Sequence, residues 1–253
     1  MTKTICAISD IHGYLPEIPE CDILCICGDI VPLEIQHPQN LMWSLTWLSG
    51  PFQKWALDAP CEHVVMIWGN HDFVGEKLYK SGTKIDSFPE VVKGLTPSLT
   101  TQFLFQNDEK HKIKLLMDSW VEIDGIKFYG TPWCPELKNW AFYADSETLK
   151  EKFSLIPNDF DVLLTHCPPK HGQQGVVLDT VWNFGTNFGC EELEDALKLK
   201  TCVRSNTCYI LSGHVHSGNH HWEHENPRHY INVSIKDENY EPIYKPLIFK
   251  IHK

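Results

Sequence analysis

Arginine is almost missing from this 253-residue chain: Arg204 and Arg228 are its only copies, and the formal net charge is −11. Such a surface cannot build the basic stripe that long nucleic acids need, and it repels polyanions at range. No apolar run approaches the length that crosses a bilayer. Internal repeats, low-complexity tracts and linkers are missing too, so residues 1–253 read as a single domain with a substantial core. The opening Met1-Thr2-Lys3-Thr4-Ile5-Cys6 enters a strand pattern at once and leaves no room for a signal peptide. Cysteine is plentiful at ten residues, but the ten are scattered, and Cys6, Cys25, Cys27 and Cys208 sit inside apolar strands. The expectation is reduced, unpaired thiols and a cytoplasmic location. A strand places Cys25 and Cys27 on one face, which reads as core packing rather than a metal pair.

Thr4–Ser9, Asp22–Cys27 and Glu62–Trp68 are apolar runs of the kind that form strands covered on both faces. Between the last two, Leu41, Leu45, Leu48 and Trp55 make a helical stripe that Gly50-Pro51 interrupts. Phe73–Lys80 predicts a short helix, and Thr83–Asn107 reads as loops. Lys112–Met117, Trp120–Ile123 and Lys127–Tyr129 predict strands, with a hairpin turn at Asp124-Gly125. Ser146–Phe153 predicts a helix capped by Ser146; Asp161–Leu164 a strand; Glu191–Leu199 a helix; Cys208–Leu211, His229–Val233 and Pro246–Ile251 strands. The alternation implies an α/β chain of two mixed β-sheets packed face to face, with helices outside.

Five short motifs follow the apolar runs in order: Asp10-Ile11-His12, Gly28-Asp29, Gly69-Asn70-His71-Asp72, Thr165-His166 and Gly213-His214-Val215-His216. Functional side chains of open α/β sheets sit just past the carboxyl ends of strands, so separate strands can deliver these residues to one edge. In Asp10-Ile11-His12 and His214-Val215-His216 the two-residue spacing points both side chains one way if the backbone is extended. Glycines at 28, 69 and 213 let the backbone turn and approach closely. Oxygen and imidazole donors suit Mn²⁺ best, with Fe or Zn²⁺ as alternatives. Two such ions bridged by one aspartate can bind a phosphoryl group and supply a hydroxide nucleophile. They would also leave the pocket with about one net positive charge inside an acidic protein, which favours small phosphate esters.

The motif order D-x-H, G-D, G-N-H-D, T-H, G-H-x-H resembles the calcineurin-like metallophosphoesterase superfamily. Phe128-Tyr129-Gly130-Thr131-Pro132-Trp133-Cys134-Pro135, Asn139-Trp140-Ala141-Phe142, Thr165-His166-Cys167-Pro168-Pro169 and Tyr230-Ile231-Asn232-Val233-Ser234 resemble its compact branch of brain-type metallophosphoesterase-domain phosphodiesterases. The resemblance implies a four-layer αββα fold and a dinuclear site. In it Asp10, His12, Asp29 and His216 hold the first metal, Asp29 bridges, and Asn70, His166 and His214 complete the second. It further implies that His71 faces substrate as general acid or hydrogen-bond donor, with Asp72 accepting a hydrogen bond to orient it. The function implied is hydrolysis of a small phosphodiester, such as a cyclic nucleotide, by metal-bound hydroxide. Alternatives are a phosphomonoesterase or phosphoprotein phosphatase, or a scaffold with an inert site. Ile30-Val31-Pro32 and the insert Lys170–Cys190 depart from the family pattern.

Other features have plainer readings. His220, His221, His224 and His229, with Glu223 and Glu225 between them, predict a solvated hairpin rather than a second metal site. Cys167 follows a candidate ligand and is expected to pack behind it. Trp133, Trp140, Phe142 and Trp182 either line a cleft that stacks a nucleobase or cover core.

Overall fold

Side-chain alternation along the strands decides the architecture. In the computed structural model, which describes residues 2–80, 101, 104–135, 137–178, 180, 183–202, 207–218 and 222–253, two mixed sheets stack. The first contains β1 (Thr2–Ile8), β2 (Ile23–Cys27), β3 (His63–Ile67), β4 (Ile113–Leu115) and β11 (Leu247–His252), in the order β11-β1-β2-β3-β4. The second contains β5 (Ser119–Ile123), β6 (Ile126–Thr131), β7 (Val162–Thr165), β8 (Cys208–Ser212), β9 (Trp222–Glu225) and β10 (Arg228–Asn232), in the order β5-β6-β7-β8-β10-β9. The inner strands are parallel, while β11, β5 and β9 run antiparallel at the edges.

Ile5, Ala7, Ile23, Cys25, Cys27, Val65 and Ile67 face Phe128, Val162, Leu164, Leu211 and Ile231 between the sheets. The alternate residues Cys6, Ile8, Leu24, Ile26, Val64 and Met66 join a second cluster with the helices. Each large aliphatic side chain fully buried this way contributes roughly 1.5–3 kcal/mol. Cys25 and Cys27 thus share the inter-sheet face, as the two-residue strand period requires.

The helices are α1 (Leu41–Trp47), α2 (Gln53–Asp58), α3 (Phe73–Lys80), α4 (Ser146–Ser154) and α5 (Glu191–Lys198). A π turn over Leu48–Phe52 containing Pro51 separates α1 from α2, where the sequence predicted an interruption. Proline has no N–H to continue the ladder. The cap of α4 is Asp145, not Ser146: its Oδ1 accepts the Thr148 N–H at 2.9 Å, and Ser146 is the first helical residue. Asp124 and Gly125 take φ of 50° and 76°, matching a two-residue hairpin turn. Most of the predicted 83–107 loop, and with it Trp182, His220 and His221, lies outside the described residues. Among the described residues no helix is long and apolar enough to cross a membrane.

The cysteine expectation needs correction. Cys202 and Cys208 form a disulfide, with Cα atoms 6.1 Å apart, while the other eight are free. The start of β8 returns beside the chain that leaves α5, a proximity that residue spacing does not encode.

Candidate metal centre

Both sheets end their parallel strands at one edge. Asp10 lies two residues past β1, Asp29 two past β2, Asn70 three past β3, His166 directly after β7 and His214 two past β8. A parallel bridge between Ser9 and Ser234, with Ile235 N–H donating to Ser9 O at 3.1 Å, ties the two sheets together there. Strand-like pairing continues into the loops: Asp10 N–H donates to Gly28 O at 3.1 Å, and His12 N–H to Asp29 O at 2.9 Å.

The expected extended spacing is not how the paired motifs work. Asp10, His12, Asp29 and His214 have φ of 56°, 41°, 53° and 69°, and His216 begins a 3-10 turn. Asp and His reach the left-handed region more readily than most residues, at a cost of order 1–3 kcal/mol each. That backbone turns their side chains inward over the strand ends. Gly69 and Gly213 serve close approach instead: a Cβ on Gly69 would strike Asp29, and one on Gly213 would strike Ser9 and Asp10.

The donors meet in two groups. On one side, His166 Nε2 and His214 Nδ1 lie 2.8 and 2.9 Å from Asn70 Oδ1. On the other, His216 Nε2 is 3.4 Å from Asp10 Oδ1, and His12 joins both in one ligand-sized cluster. Asp29 Oδ2 stands between them, 3.3 Å from His166 Nε2 and 3.6 Å from His12 Nε2. The outer ring atoms fix the orientations: His166 Nδ1 donates to Cys27 O at 2.8 Å and His216 Nδ1 to Asp237 O at 2.7 Å. Asn232 pins the neighbouring loop by donating from Nδ2 to Val215 O at 2.7 Å and Gln174 O at 3.0 Å.

The electrostatics are those of a pocket built for positive charge. Burial disfavours ionisation of Asp10 and Asp29, yet the His216 hydrogen bond and charge at Asp10, and the His166 and His71 charges at Asp29, hold both below the usual carboxylate range. Burial is likewise overcome at His166 and His216, where Asp29 and Asp10 raise the pKa to about 10 and about 9. At His12 and His214 burial prevails and lowers it to about 3. Both ring nitrogens of His12 are buried with no hydrogen-bond partner among the described residues. A neutral imidazole aimed at two carboxylates with nothing to bond fits a cation between them.

Residues 3–218 match calcineurin-like phosphoesterases. The chain belongs to this family. Metallophosphoesterase domain-containing protein 1 of Homo sapiens is 28% identical over 263 residues, covering 99% of this chain and 71% of that protein. The Mus musculus protein of the same name matches equally. A UPF0046 protein of Caenorhabditis elegans is 27% identical over 254 residues, covering 95% of this chain and 58% of its own.

Asp72 departs from its expected role. Its carboxylate accepts the backbone N–H groups of Ile30 at 3.0 Å, Val31 at 3.0 Å and Gly69 at 2.8 Å, and makes no bond to His71 among the described contacts. It therefore binds the loop after β2 to the loop after β3. Burial and the neighbouring Asp29 charge push its pKa up to about 7, against those three donors. The His71 ring is oriented instead by Gln36, whose Oε1 lies 2.5 Å from Nδ1. His71 Nε2 then faces the centre, 3.9 Å from Asp29 Oδ2, and burial lowers its pKa.

The loop aromatics divide. Trp133 and Phe142 are buried, with Trp133 Nε1 donating to Asp118 at 2.9 Å, whereas Trp140 is 37% exposed and packs 4.3 Å from the His71 ring. Tyr240, which no sequence motif singles out, stands by His12 and His216 at 5.0 and 5.2 Å. No local motif marks Gln36 or Tyr240, since each reaches the centre from a separate loop.

Proposed function

We propose that this chain is a dinuclear metal-dependent phosphoesterase acting on small phosphodiesters, with cyclic nucleotides as the substrate class. The observation that carries the reading is Asp29 Oδ2 standing between the Asp10–His12–His216 group and the Asn70–His166–His214 group. That placement supports Asp10, His12 and His216 as holders of one divalent ion, Asn70, His166 and His214 as holders of the other, and Asp29 as the bridge. Manganese suits the oxygen and nitrogen donors, with iron or zinc as alternatives. When bound, such a pair polarises the phosphoryl oxygens and lowers the pKa of an attacking water.

The protein's own residues do the rest. His71 gives its Nδ1–H to Gln36, which leaves Nε2 facing the pocket. In the imidazolium form, which burial disfavours, Nε2 carries a proton to hand to a departing oxygen, and in the neutral form it accepts a hydrogen bond. Trp140 and Tyr240 both lie beside the His71 ring, at 4.3 and 6.2 Å, and aromatic rings there suit a nucleobase. The acidic surface argues for small esters over long nucleic acids, and eight free thiols support a cytoplasmic setting.

The test is turnover of bis-p-nitrophenyl phosphate against p-nitrophenyl phosphate by chelated protein given Mn²⁺. Diester turnover is the expected result. Monoester turnover alone would reassign the protein as a monoesterase, and no turnover of either would favour a scaffold.

A further inference from the structure

We infer that Cys134 is a sulfur ligand in the second metal position, making that position selective for thiophilic ions. The inference rests on the dinuclear reading above and concerns a residue outside its oxygen and imidazole set.

Cys134 Sγ, a ring nitrogen of His166 and one of His214 all lie within 4.8 Å of one another. Around one tetrahedral zinc-like ion, bonds of about 2.3 Å to sulfur and about 2.1 Å to nitrogen set the two donors about 3.6 Å apart. Rotation of the Cys134, His166 and His214 side chains is the movement that would bring this group onto one ion. The sulfur is fully buried and is held only weakly, by Pro132 O at 3.7 Å and by the Cys167 thiol beside it, and a metal bond outcompetes both.

The backbone at this position is fixed. Cys134 N–H donates to Phe142 O at 3.0 Å, and Cys134 O accepts from Ala144 N–H at 3.2 Å. The same loop is tied to the loop after β3 by Ala141 N–H donating to Asn70 O at 3.0 Å. A rigid loop thus carries the sulfur to the group of donors that meets at Asn70 Oδ1. Cys167, which the sequence placed behind His166, lies with its thiol against that of Cys134 and bonds weakly to Pro168 O and Phe188 O at 3.5 and 3.6 Å.

On binding, the sulfur–metal bond forms as the thiol proton leaves to water. The two positions then differ in kind. Asp10, His12 and His216 keep a hard set, while Asn70, His166, His214 and Cys134 form a softer one that prefers zinc to manganese.

The test loads the chelated full-length chain with Co²⁺ to two ions per chain and records its near-ultraviolet spectrum. A sulfur-to-cobalt charge-transfer band is expected in the native protein and in Cys167→Ser, and is expected to vanish in Cys134→Ser and Cys134→Ala. The Zn²⁺ over Mn²⁺ affinity ratio should fall by about tenfold or more in the Cys134 variants. Two bound cobalt ions with no band in the native protein, or a band that survives in a folded Cys134 variant, would overturn the inference and leave the dinuclear reading standing. Fewer than two bound ions would overturn both.

Discussion

Histidine occurs in two dense settings in this molecule, and the two could hardly differ more. At the sheet edge, His12, His71, His166, His214 and His216 meet around Asp10 and Asp29 in a buried pocket. On the β9–β10 hairpin, His224 and His229 are cross-strand partners whose rings stack at 4.3 Å in a half-exposed aromatic ladder with Tyr209 and Trp222. There Trp222 Nε1 donates to His229 Nδ1 at 2.8 Å, so one imidazole lone pair is already used. No ligand-sized cluster among the described residues includes either hairpin histidine. Residue type is the same in both places. What differs is whether strands of separate origin end together or two neighbours lie side by side. Convergence supplies opposed charges and lone pairs without partners, whereas a hairpin satisfies its own side chains.

The contrast breaks most completely at Asp29. Asp29→Ala should empty both metal positions, while His224→Ala should leave two ions bound. Elemental analysis finding two ions in Asp29→Ala would end the bridging assignment. Next in size is His71→Ala, expected to lower kcat by about 10²–10⁴ on a substrate with a ribose leaving group while both ions stay. The loss should shrink with p-nitrophenolate, which leaves without a proton. Metal loss in that variant would make His71 a ligand.

Protons give a third comparison, read by melting the chelated protein across pH. His12 and His214 have folded pKa values near 3, below the free value of 6.5, so the unfolded chain binds more protons between those values. Stability should therefore fall as pH drops from 6.5 toward 3, with Asp10 and Asp29 adding to the loss at the acid end. His166 and His216 hold protons up to about 10 and 9, so their contribution is full below 6.5 and fades as pH rises toward those values. A maximum near pH 6.5 is expected, flattened on the alkaline side once metal replaces the protons. A metal-free profile with no alkaline decline would contradict the charge arrangement.

Smaller effects separate structure from chemistry. Asp72→Ala strands three buried N–H groups and should cost about 2–4 kcal/mol in urea unfolding. If stability is unchanged and only kcat falls, Asp72 acts on the reaction rather than on the loops. His224→Ala should stay within about 0.5 kcal/mol of native stability, the range of surface changes.

Much of this was legible in the chain. Apolar runs with a two-residue period located the strands, and the polar residue that breaks each run marked its end. Asp10, Asp29, Asn70, His166 and His214 could be nominated because a strand end is a local event, and the structure brings all five to one edge. What local pattern could not give was partnership. The sequence assigned His71 to its neighbour Asp72, but the fold gives it Gln36, and gives Asp72 the backbone of two loops. It read Cys134 only as part of a motif and Cys202 and Cys208 as unpaired thiols, whereas the fold sets the first beside His166 and His214 and joins the other two. Periodicity is set by backbone geometry over a few residues, so the sequence alone determines it. Which atoms face one another across the pocket depends on how loops distant in sequence pack over the strand ends, and only the tertiary structure decides that.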